Sequence, residues 1–348
     1  MHKTKHVWIE ITDIDNIKHA ILKASQKKRK RAGVKRILAD IDYYAAKIQI
    51  MLLDKTFVPS PYKEVIIKDG GTQKERTIHK PQFYPDQCIH WALVLPLQKQ
   101  WKNSIQQNSC GSIPGRGLHC GKKKVERWLH NDRKNTKYCY KLDVRKYYQS
   151  VDQELLLAMF HRKIHDTDTL WLLEKIIHSH KTGLPIGNYT SQWFANLFLA
   201  DIDWRIVQKL GVTYYVRYID DMVLFGRNKK VLHGIRKQIE TLLIQKNLTV
   251  KHTWQVFKTD SRGVDFLGYR MFHRYTIIRK STAYRIHRRM KRVNNPPTIQ
   301  QAQVVTSYLG ITKHCDSYNF MKRFVWPYIH MQNIKEIQRE NSKSIAVA

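Results

Sequence analysis

The stretch that decides the fold is Tyr218-Ile219-Asp220-Asp221, which lies between two apolar runs at residues 212–217 and 222–226. Both runs are rich in β-branched and aromatic residues and contain no proline, so they predict two short strands joined by a tight turn. The turn brings two carboxylates together, and a bound divalent cation favours the ionised form of both. An acidic turn on a surface hairpin is the alternative interpretation of the tetrad alone.

A third carboxylate follows a similar run upstream, because residues 138–148 are apolar and aromatic and contain Asp143. If the strands are neighbours, Asp143 and Asp220 lie at one edge of a sheet. Oxygen ligands with room for water and phosphates suit Mg²⁺, and two such ions about 3.5–4 Å apart support nucleotidyl transfer. We therefore predict two Mg²⁺ ions, with Mn²⁺ as an alternative, catalysis by the three aspartates, and a metal site formed by Asp143, Val144, Asp220 and Asp221.

The chain carries 62 basic and 28 acidic residues among 348, a net charge of +34. Such an excess indicates a polyanionic partner that releases counterions on binding. A merely soluble basic protein and a binder of anionic membranes are the alternatives. Basic and aromatic residues are interleaved along the whole chain, which favours nucleic acid.

The cysteines indicate a reducing compartment, because the five of them form no C-x-x-C pair and no regular framework. A zinc site at Cys110, His119 and Cys120 has the wrong spacing for the common fingers. The N-terminus leads into no apolar signal core, and no run is long enough to span a bilayer. We expect a soluble intracellular protein with no membrane partner.

The N-terminal third is predicted to contain basic helices and a hairpin. Residues 9–22 and 37–53 have helical apolar spacing on either side of a basic run at 27–31. Residues 62–68 and 74–78 read as two strands around the turn Asp69-Gly70-Gly71. Lys68, Lys74 and Arg76 place cations on this hairpin, where they suit a triphosphate; a solvated basic hairpin is the alternative.

The middle of the chain predicts helices joined by two glycine-containing loops. A helix over 86–100 contains Pro96 as an expected kink or break. The glycine-rich and basic residues 108–121 lack the spacing of a P-loop, and we expect them to approach nucleic acid through Arg116. A loop over 183–189 feeds a helix capped near Thr190 or Ser191 and ending by Gly211.

The last part predicts further elements of both kinds, namely helices over 152–164 and 229–246, strands over 248–251 and 255–257, an aromatic turn over 264–269 and a basic helix over 281–292. Tyr148, five residues after Asp143, is either the floor of a sugar pocket that excludes a 2′-hydroxyl or a core tyrosine.

Taken in order, these motifs resemble those of reverse transcriptases over residues 56–270. The matching elements are the basic hairpin with Arg76, Asp143 with Tyr148, the loop at 185–187, the tetrad at 218–221 and Phe-Leu-Gly-Tyr at 266–269. The resemblance implies an α+β right-hand polymerase with fingers, an antiparallel-sheet palm and an α-helical thumb. The implied boundaries are a basic helical extension at 1–55, fingers with part of the palm at 56–135, the palm at 136–272 with a fingers insertion near 160–190, and the thumb at 273–348.

The sequence of the 185–187 loop indicates which type of reverse transcriptase the chain resembles. Most reverse transcriptases have a glutamine before the glycine and Ser-Pro beyond it, whereas this chain has Ile186-Gly187 and later Ser191-Gln192. This pattern is similar to that of diversity-generating retroelements, which copy a template-repeat RNA into cDNA with frequent errors opposite adenine. We hypothesise that loss of the polar contact of glutamine weakens discrimination between correct and incorrect pairs.

The family also implies partners and site residues. The partners are a template RNA with structured flanks, the RNA/cDNA duplex, dNTPs and a small basic, oligomeric accessory variability protein, in the cytoplasm of a bacterial or phage-infected cell. Lys251 is a candidate general acid for pyrophosphate. The expected nucleotide-binding residues are Lys68, Arg76, Tyr148, Ile186, Gly187 and Gln192. The expected nucleic-acid contacts are Arg116, Tyr218, Phe266, Gly268, Tyr269, Arg285, Arg288, Arg289, Lys291 and Arg292.

Three rival interpretations stay open. A group II intron reverse transcriptase ordinarily has a longer C-terminal splicing region. A retron-type enzyme has further motifs with no clear match in this sequence. A catalytically inactive RNA-binding scaffold is opposed by the intact Asp143, Asp220 and Asp221.

Overall fold

The structure is a computed structural model that describes residues 6–68 and 75–347, with side chains to residue 340. The predicted turn at 69–71 and Lys74 therefore lie outside the described residues. The chain begins with four helices: α1 Val7–Thr12, α2 Ile14–Ser25, α3 Ala32–Ala39 and α4 Ile41–Leu53. The predicted helix over 9–22 is divided because the Asp13 carboxylate accepts the N–H groups of Asp15 and Asn16 and starts a new helix.

The predicted hairpin is confirmed as two antiparallel strands, β1 Lys63–Lys68 and β2 Glu75–Lys80. Helix α5 Cys88–Ser104 follows. Pro96 lies inside this helix and does not end it, so of the expected kink or break the break is wrong and the kink stays a prediction. A proline has no N–H for the carbonyl four residues earlier, and the Asn16 amide donates to that Ala92 oxygen at 3.0 Å instead.

The middle of the chain alternates short strands and helices. In chain order these are β3 Ser109–Cys110, α6 Leu118–Asn131, β4 Tyr138–Asp143, α7 Tyr147–Ser150, α8 Gln153–His161, α9 Thr167–Ile177, α10 Tyr189–Phe198 and α11 Ala200–Gln208. The single helix expected up to Gly211 is wrong, since Leu199 separates α10 from α11. The boundary residue Asn188 precedes α10, and neither Thr190 nor Ser191 caps it. Asp201 and Asp203 occupy the first turn of α11, where acidic residues favour a helix start.

The remaining elements are β5 Tyr215–Tyr218, β6 Asp221–Gly226, α12 Lys229–Ile244, β7 Gln255–Lys258, α13 Thr259–Arg262, β8 Val264–Phe266, β9 Tyr269–Met271, β10 Thr276–Ile278, α14 Lys280–Met290, α15 Ile299–Thr312, α16 Tyr318–Phe324 and α17 Met331–Val347. The strand expected over 248–251 is wrong. Val250 makes an isolated bridge to Val144, beyond the ladder in which β7 pairs with residues 138–141 of β4.

The central sheet has the order β3-β5-β6-β4-β7. All its pairs are antiparallel except β3 with β5. A second sheet, of order β10-β9-β8, precedes the C-terminal helices. The predicted mixture of helices with an antiparallel sheet is thus present, with one short parallel strand added at its edge.

Both faces of the central sheet are buried. Tyr140 and Leu142 of β4 point into one core together with α12, whereas Cys139 of β4 points into another together with Phe266 of β8. A third core joins α14, α15 and α16 through Ile286, Val305 and Met321. Because the faces are covered, the end of the sheet at the β5–β6 turn is the part available for chemistry.

Among the described residues, the helices include none with the length and apolar character needed to cross a bilayer.

Candidate active site

The three aspartates meet at one end of the central sheet. Strands β4 and β6 are antiparallel neighbours in a register that places Asp143 opposite Asp221. Asp220 lies in the turn before β6, and its carbonyl accepts the Val144 N–H at 3.3 Å. The two runs therefore converge as their sequence patterns predict.

The turn itself adopts an unusual backbone conformation. Tyr218 pairs with Asp221, so Ile219 and Asp220 form a two-residue connection. Ile219 has φ of 59°, in the left-handed region that a β-branched residue rarely enters. Two-residue hairpins with positive φ at the first position normally use glycine there. Such a residue costs about 1–3 kcal/mol and persists where surrounding contacts fix it.

Two lysines partly neutralise the carboxylates. Lys251 Nζ lies 2.5 Å from Asp143 Oδ1, and Lys141 Nζ lies 3.3 Å from Asp221 Oδ2. The other oxygen of Asp221, Oδ1, is buried and has no hydrogen-bond partner. The site therefore holds more carboxylate oxygens than its lysines satisfy.

The electrostatics of the site favour an added cation. Burial and the adjacent Asp143 carboxylate raise the pKa of Asp220 to about 6. Burial raises the pKa of Asp221 to about 7, against the opposing effect of Lys141. A positive charge placed between these groups would restore their ionised forms.

Tyr148 lies close to the aspartates in α7. It is half-buried, and burial together with the Asp220 carboxylate raises its pKa to about 12. Its carbonyl accepts the Leu184 N–H at 2.6 Å. A side chain on Gly183 would come within 2.5 Å of the same carbonyl. The 183–187 loop therefore packs directly on the backbone of Tyr148.

The same loop is hydrogen-bonded to the β1–β2 hairpin. The His79 N–H of β2 donates to the Ile186 carbonyl at 2.8 Å. Gly187 lies against the His79 carbonyl, and a Cβ added to Gly187 would be only 2.0 Å from that oxygen. Gln192 is exposed on α10. The loop that carries Ile186 and Gly187, two of the expected nucleotide-binding residues, is thus bound to the hairpin.

The hairpin cations lie at the surface. Lys68 and Arg76 are both exposed, and Lys68 Nζ lies 3.4 Å from the Glu75 carboxylate. The role of both side chains toward a triphosphate stays a prediction.

The predicted contacts at the 264–269 turn need correction. Phe266 is fully buried and Tyr269 is 2% exposed, because both pack in the core that covers one face of the sheet. The Tyr269 hydroxyl donates to the Ile311 carbonyl. Their side chains have no surface for nucleic acid. Gly268, in the turn between β8 and β9, has space around it and φ of 87°.

Two other expected contacts are engaged within the protein. The Arg116 guanidinium donates at 3.2 Å to the carbonyls of Ile105 and Gln106, so it ties a loop to the end of α5. Tyr218 is half-buried, and its ring lies 3.1 Å from the place of a Cβ on Gly111. Both residues hold the structure around the site, and nucleic-acid contact by them remains a prediction.

The basic helix presents its cations to solvent. Four of the five predicted contacts have exposed side chains, namely Arg288, Arg289, Lys291 and Arg292. The fifth, Arg285, is half-buried on α14. All four exposed residues lie at or near the C-terminal end of the helix. A polar cleft of about 670 Å³ is lined by Asp143 and by the basic residues Lys141, Arg262, Arg270 and Arg279. Cationic side chains therefore also line the cleft at Asp143.

Sequence reasoning missed Lys141 and a buried ion pair behind the turn. Arg217 and Asp203 are both fully buried, and the Arg217 Nη1 donates to the Ile219 carbonyl at 2.7 Å. Burial lowers the pKa of Arg217, but the Asp203 carboxylate more than compensates and the pKa lies above its ordinary value. The signal was a single arginine in an otherwise uncharged strand, next to the tetrad.

An antiparallel sheet that ends in three aspartates defines a carboxylate site of the nucleotidyl-transfer class. Residues 67–271, more than half of the chain, match the family model described as reverse transcriptase (RNA-dependent DNA polymerase). The chain belongs to the reverse transcriptase family. The predicted membership of this family is thereby confirmed.

Its relatives are distant. The group II intron-encoded protein LtrA of Lactococcus lactis subsp. cremoris is 26% identical over 172 residues, 47% of this chain and 28% of LtrA. The retron Ec73 reverse transcriptase of Escherichia coli is 24% identical over 252 residues, 67% of this chain and 73% of that protein. A Candida albicans telomerase structure aligns with a TM-score of 0.49 at 11% identity, covering 83% of this chain and 60% of that one. The chain matches less than a third of the length of LtrA.

Reverse transcriptases generally use divalent metal ions. Within the described residues, no three or more His, Cys, Asp or Glu side chains are arranged to hold a metal ion together. The aspartate site nevertheless fits Mg²⁺ chemically, since its donors are carboxylate oxygens and Asp221 Oδ1 is buried without a partner.

Proposed function

We propose that the protein synthesises DNA on an RNA template at the Asp143, Asp220 and Asp221 site. The observation that carries this proposal is the β4–β6 register, which sets Asp143 opposite Asp221 at the end of a sheet with covered faces. The family membership of residues 67–271 supports the same reaction.

The residues of the site have distinct proposed roles. Asp143, Asp220 and Asp221, with Val144, would hold two Mg²⁺ ions, which supply activation of a hydroxyl and stabilisation of pyrophosphate when bound. A primer 3′-hydroxyl, or an RNA 2′-hydroxyl, attacks the α-phosphate of a dNTP, and pyrophosphate leaves. Lys68 and Arg76 would neutralise the triphosphate, Tyr148 would form the floor of the sugar pocket, and Lys251 would donate a proton to pyrophosphate.

The proposed domains follow the right-hand arrangement. Residues 56–135 would form the fingers with part of the palm, residues 136–272 the palm with an insertion near 160–190, and residues 273–348 the thumb, after a basic N-terminal extension at 1–55. The exposed arginines of α14 would contact the phosphates of the RNA/cDNA duplex.

Within the family we propose the diversity-generating retroelement type, which copies a template-repeat RNA with errors opposite adenine. Support comes from Ile186, whose carbonyl is tied to His79 and whose side chain offers no hydrogen bond to a nucleotide. The template RNA with its structured flanks and a small basic accessory protein would be its partners, in the bacterial cytoplasm.

A group II intron-like or retron-like enzyme of ordinary fidelity is the second candidate. The similarities to LtrA and to the retron Ec73 reverse transcriptase favour it. The two candidates differ in the error spectrum of the product.

The deciding experiment compares the wild-type chain with Ile186→Gln. Each protein extends a primed RNA template with dNTPs and Mg²⁺, with and without the accessory protein and flanking RNA, and the DNA is sequenced. Substitutions concentrated opposite adenine that decrease in Ile186→Gln would support the retroelement type. Faithful DNA from the wild-type chain would favour the second candidate, and adenine errors unchanged in Ile186→Gln would refute the role of Ile186.

A further inference from the structure

A fully buried ion pair lies behind the turn that carries the aspartates. The Arg217 side chain on β5 and the Asp203 side chain on α11 are both 0% exposed. They form a two-point contact, with Nε donating to Oδ1 at 2.8 Å and Nη2 donating to Oδ2 at 2.6 Å. Two parallel charge-assisted bonds fix the plane of the guanidinium.

The polar groups around the pair are satisfied. Asp203 also accepts the hydroxyls of Tyr215 and Ser109, both at 2.5 Å. Arg217 also donates to the side-chain and main-chain oxygens of Asn196 and to Ser109. A guanidinium has five N–H donors. With the contact to the Ile219 carbonyl they face six acceptor contacts, so each donor has an acceptor and Nη2 shares its two hydrogens among three.

The remaining contact of Arg217 joins the buried ion pair to the turn that carries Asp220. Arg217 Nη1 donates to the Ile219 carbonyl at 2.7 Å, and the Ile219 N–H donates to the Cys110 carbonyl at 3.4 Å. Both peptide groups of the left-handed residue are therefore held from outside the turn. Asp220 follows Ile219 directly, so the direction of its carboxylate depends on this backbone conformation.

We propose that Arg217, oriented by Asp203, is a positioning residue that holds Ile219 in its left-handed conformation and thereby sets Asp220 and Asp221 for binding divalent metal. The inference rests on the proposed function only for the reaction that the metal serves.

A role in stability alone accounts poorly for this arrangement. Burying two charges carries a large desolvation cost, and apolar residues of similar volume are often as stabilising as a buried pair. An apolar pair could fill the space but could not donate to the Ile219 carbonyl. The double variant Arg217→Met/Asp203→Leu therefore separates filling of the core from positioning of the turn.

The test measures Mn²⁺ binding to the full-length chain by electron paramagnetic resonance, without nucleic acid. The variants are Arg217→Met/Asp203→Leu and Arg217→Lys, which keeps the charge but loses the planar fork. Tyr215→Phe is the matched control, because it removes one bond to Asp203 and leaves the contact with Ile219. Circular dichroism and the thermal midpoint report folding for each protein.

We expect each Arg217 variant that folds to bind Mn²⁺ about tenfold or more weakly, the effect of losing a hydrogen bond from a charged donor. Tyr215→Phe should change the thermal midpoint but not the Mn²⁺ affinity. In an Ile219→Gly background, where positive φ carries no strain, the loss caused by Arg217→Lys should be smaller. Wild-type affinity in a folded Arg217 variant, an equal loss in both backgrounds, or a wild-type chain that binds no Mn²⁺ would overturn the proposal.

The same proteins are assayed for DNA synthesis on a primed RNA template. Weakened Mn²⁺ binding in the Arg217 variants beside a wild-type chain that makes no DNA would uphold the positioning role and refute the proposed function. DNA synthesis by the wild-type chain together with wild-type Mn²⁺ affinity in the variants would uphold the proposed function and refute the positioning role.

Discussion

At Gly187 the backbone leaves no space for a side chain. A Cβ there would lie 2.0 Å from the His79 carbonyl oxygen, and φ is 146°. We predict that Gly187→Ala pushes the loop away from β2 and lowers the rate of DNA synthesis by about tenfold or more, because small displacements of positioning groups have large catalytic effects. Steady-state primer extension measures this loss.

Gly234→Ala provides the control. Gly234 is in helix α12 with no atom within 4 Å of the added Cβ, so alanine should be neutral or slightly stabilising. Equal activity of Gly187→Ala and Gly234→Ala would show that the contact between loop and hairpin is unimportant for synthesis.

The buried imidazole of His90 should make the free energy of unfolding depend on pH. It is buried in α5, its Nδ1 has no hydrogen-bond partner, and burial lowers its pKa from 6.5 to about 3. Between pH 6.5 and pH 3, His90 is therefore protonated in the unfolded state but neutral in the folded state. The stabilisation is complete above pH 6.5 and is lost as the pH falls toward 3, by about 3 kcal/mol between pH 7 and pH 4.

Urea unfolding at several pH values measures this effect. The free energy of unfolding of His90→Leu should decrease less between pH 7 and pH 4 than that of the wild-type chain, whereas His165→Gln, at an exposed position, should follow the wild-type curve. Parallel curves for His90→Leu and the wild-type chain would exclude His90 as the source.

The sequence predicted the three aspartates because each follows or begins a recognisable apolar run. It failed for Phe266 and Tyr269, where a family motif suggested a nucleic-acid contact. The alternation of side chains along a strand already indicates that Phe266 is buried, because Phe266 lies two residues after Val264 and therefore on the same inward face of β8. Motif identity indicates a position in the fold, whereas strand period determines which way a side chain points.

At the scale of elements, α5 shows how a helix accommodates proline. The Ala92 carbonyl, which Pro96 leaves without a helical donor, accepts the Asn16 amide at 3.0 Å. We predict that Asn16→Leu lowers the free energy of unfolding by about 1–3 kcal/mol, the cost of an unsatisfied buried carbonyl. Chemical unfolding measures this difference.

A double-mutant cycle supplies the control. Pro96→Ala restores an N–H that can donate to Ala92, so Asn16→Leu should cost less in that background. The Asn16 amide also donates to the Ile11 carbonyl, so part of the cost will remain. Additive effects would contradict the assignment of Asn16 as the replacement donor.

This long-range contact explains why the sequence alone misplaced a break at Pro96. Local rules treat proline as a helix breaker, and the compensating Asn16 lies 76 residues away from Ala92. The division of α10 from α11 at the buried Leu199 is similar, because no proline or glycine marks it. The contact with Asn16 is therefore tertiary information, which local rules for proline do not contain.

At the scale of the whole molecule, the net charge of +34 favours contact with a polyanion, and the exposed cations of α14 are the proposed phosphate contacts. We predict that RNA affinity falls steeply with salt, and that Arg289→Ala reduces the slope of log affinity against log salt by about 1, the loss of one phosphate contact. Filter binding over a salt series measures the slope.

Lys237→Ala is the matched control, since Lys237 is equally a single exposed cation but is located on α12. Its slope should equal that of the wild-type chain. A similar reduction in both variants would indicate that binding follows total charge rather than the surface of α14.

The central claim is RNA-templated DNA synthesis at the aspartate site, and primer extension tests it most directly. Wild-type protein and Asp220→Asn, which is nearly isosteric, are given a primed RNA template, dNTPs and Mg²⁺, and RNA binding is measured in parallel. We predict DNA from the wild-type chain, none above background from Asp220→Asn, and the same RNA affinity for both. No DNA from the wild-type chain with RNA still bound, or full synthesis by Asp220→Asn, would contradict the claim.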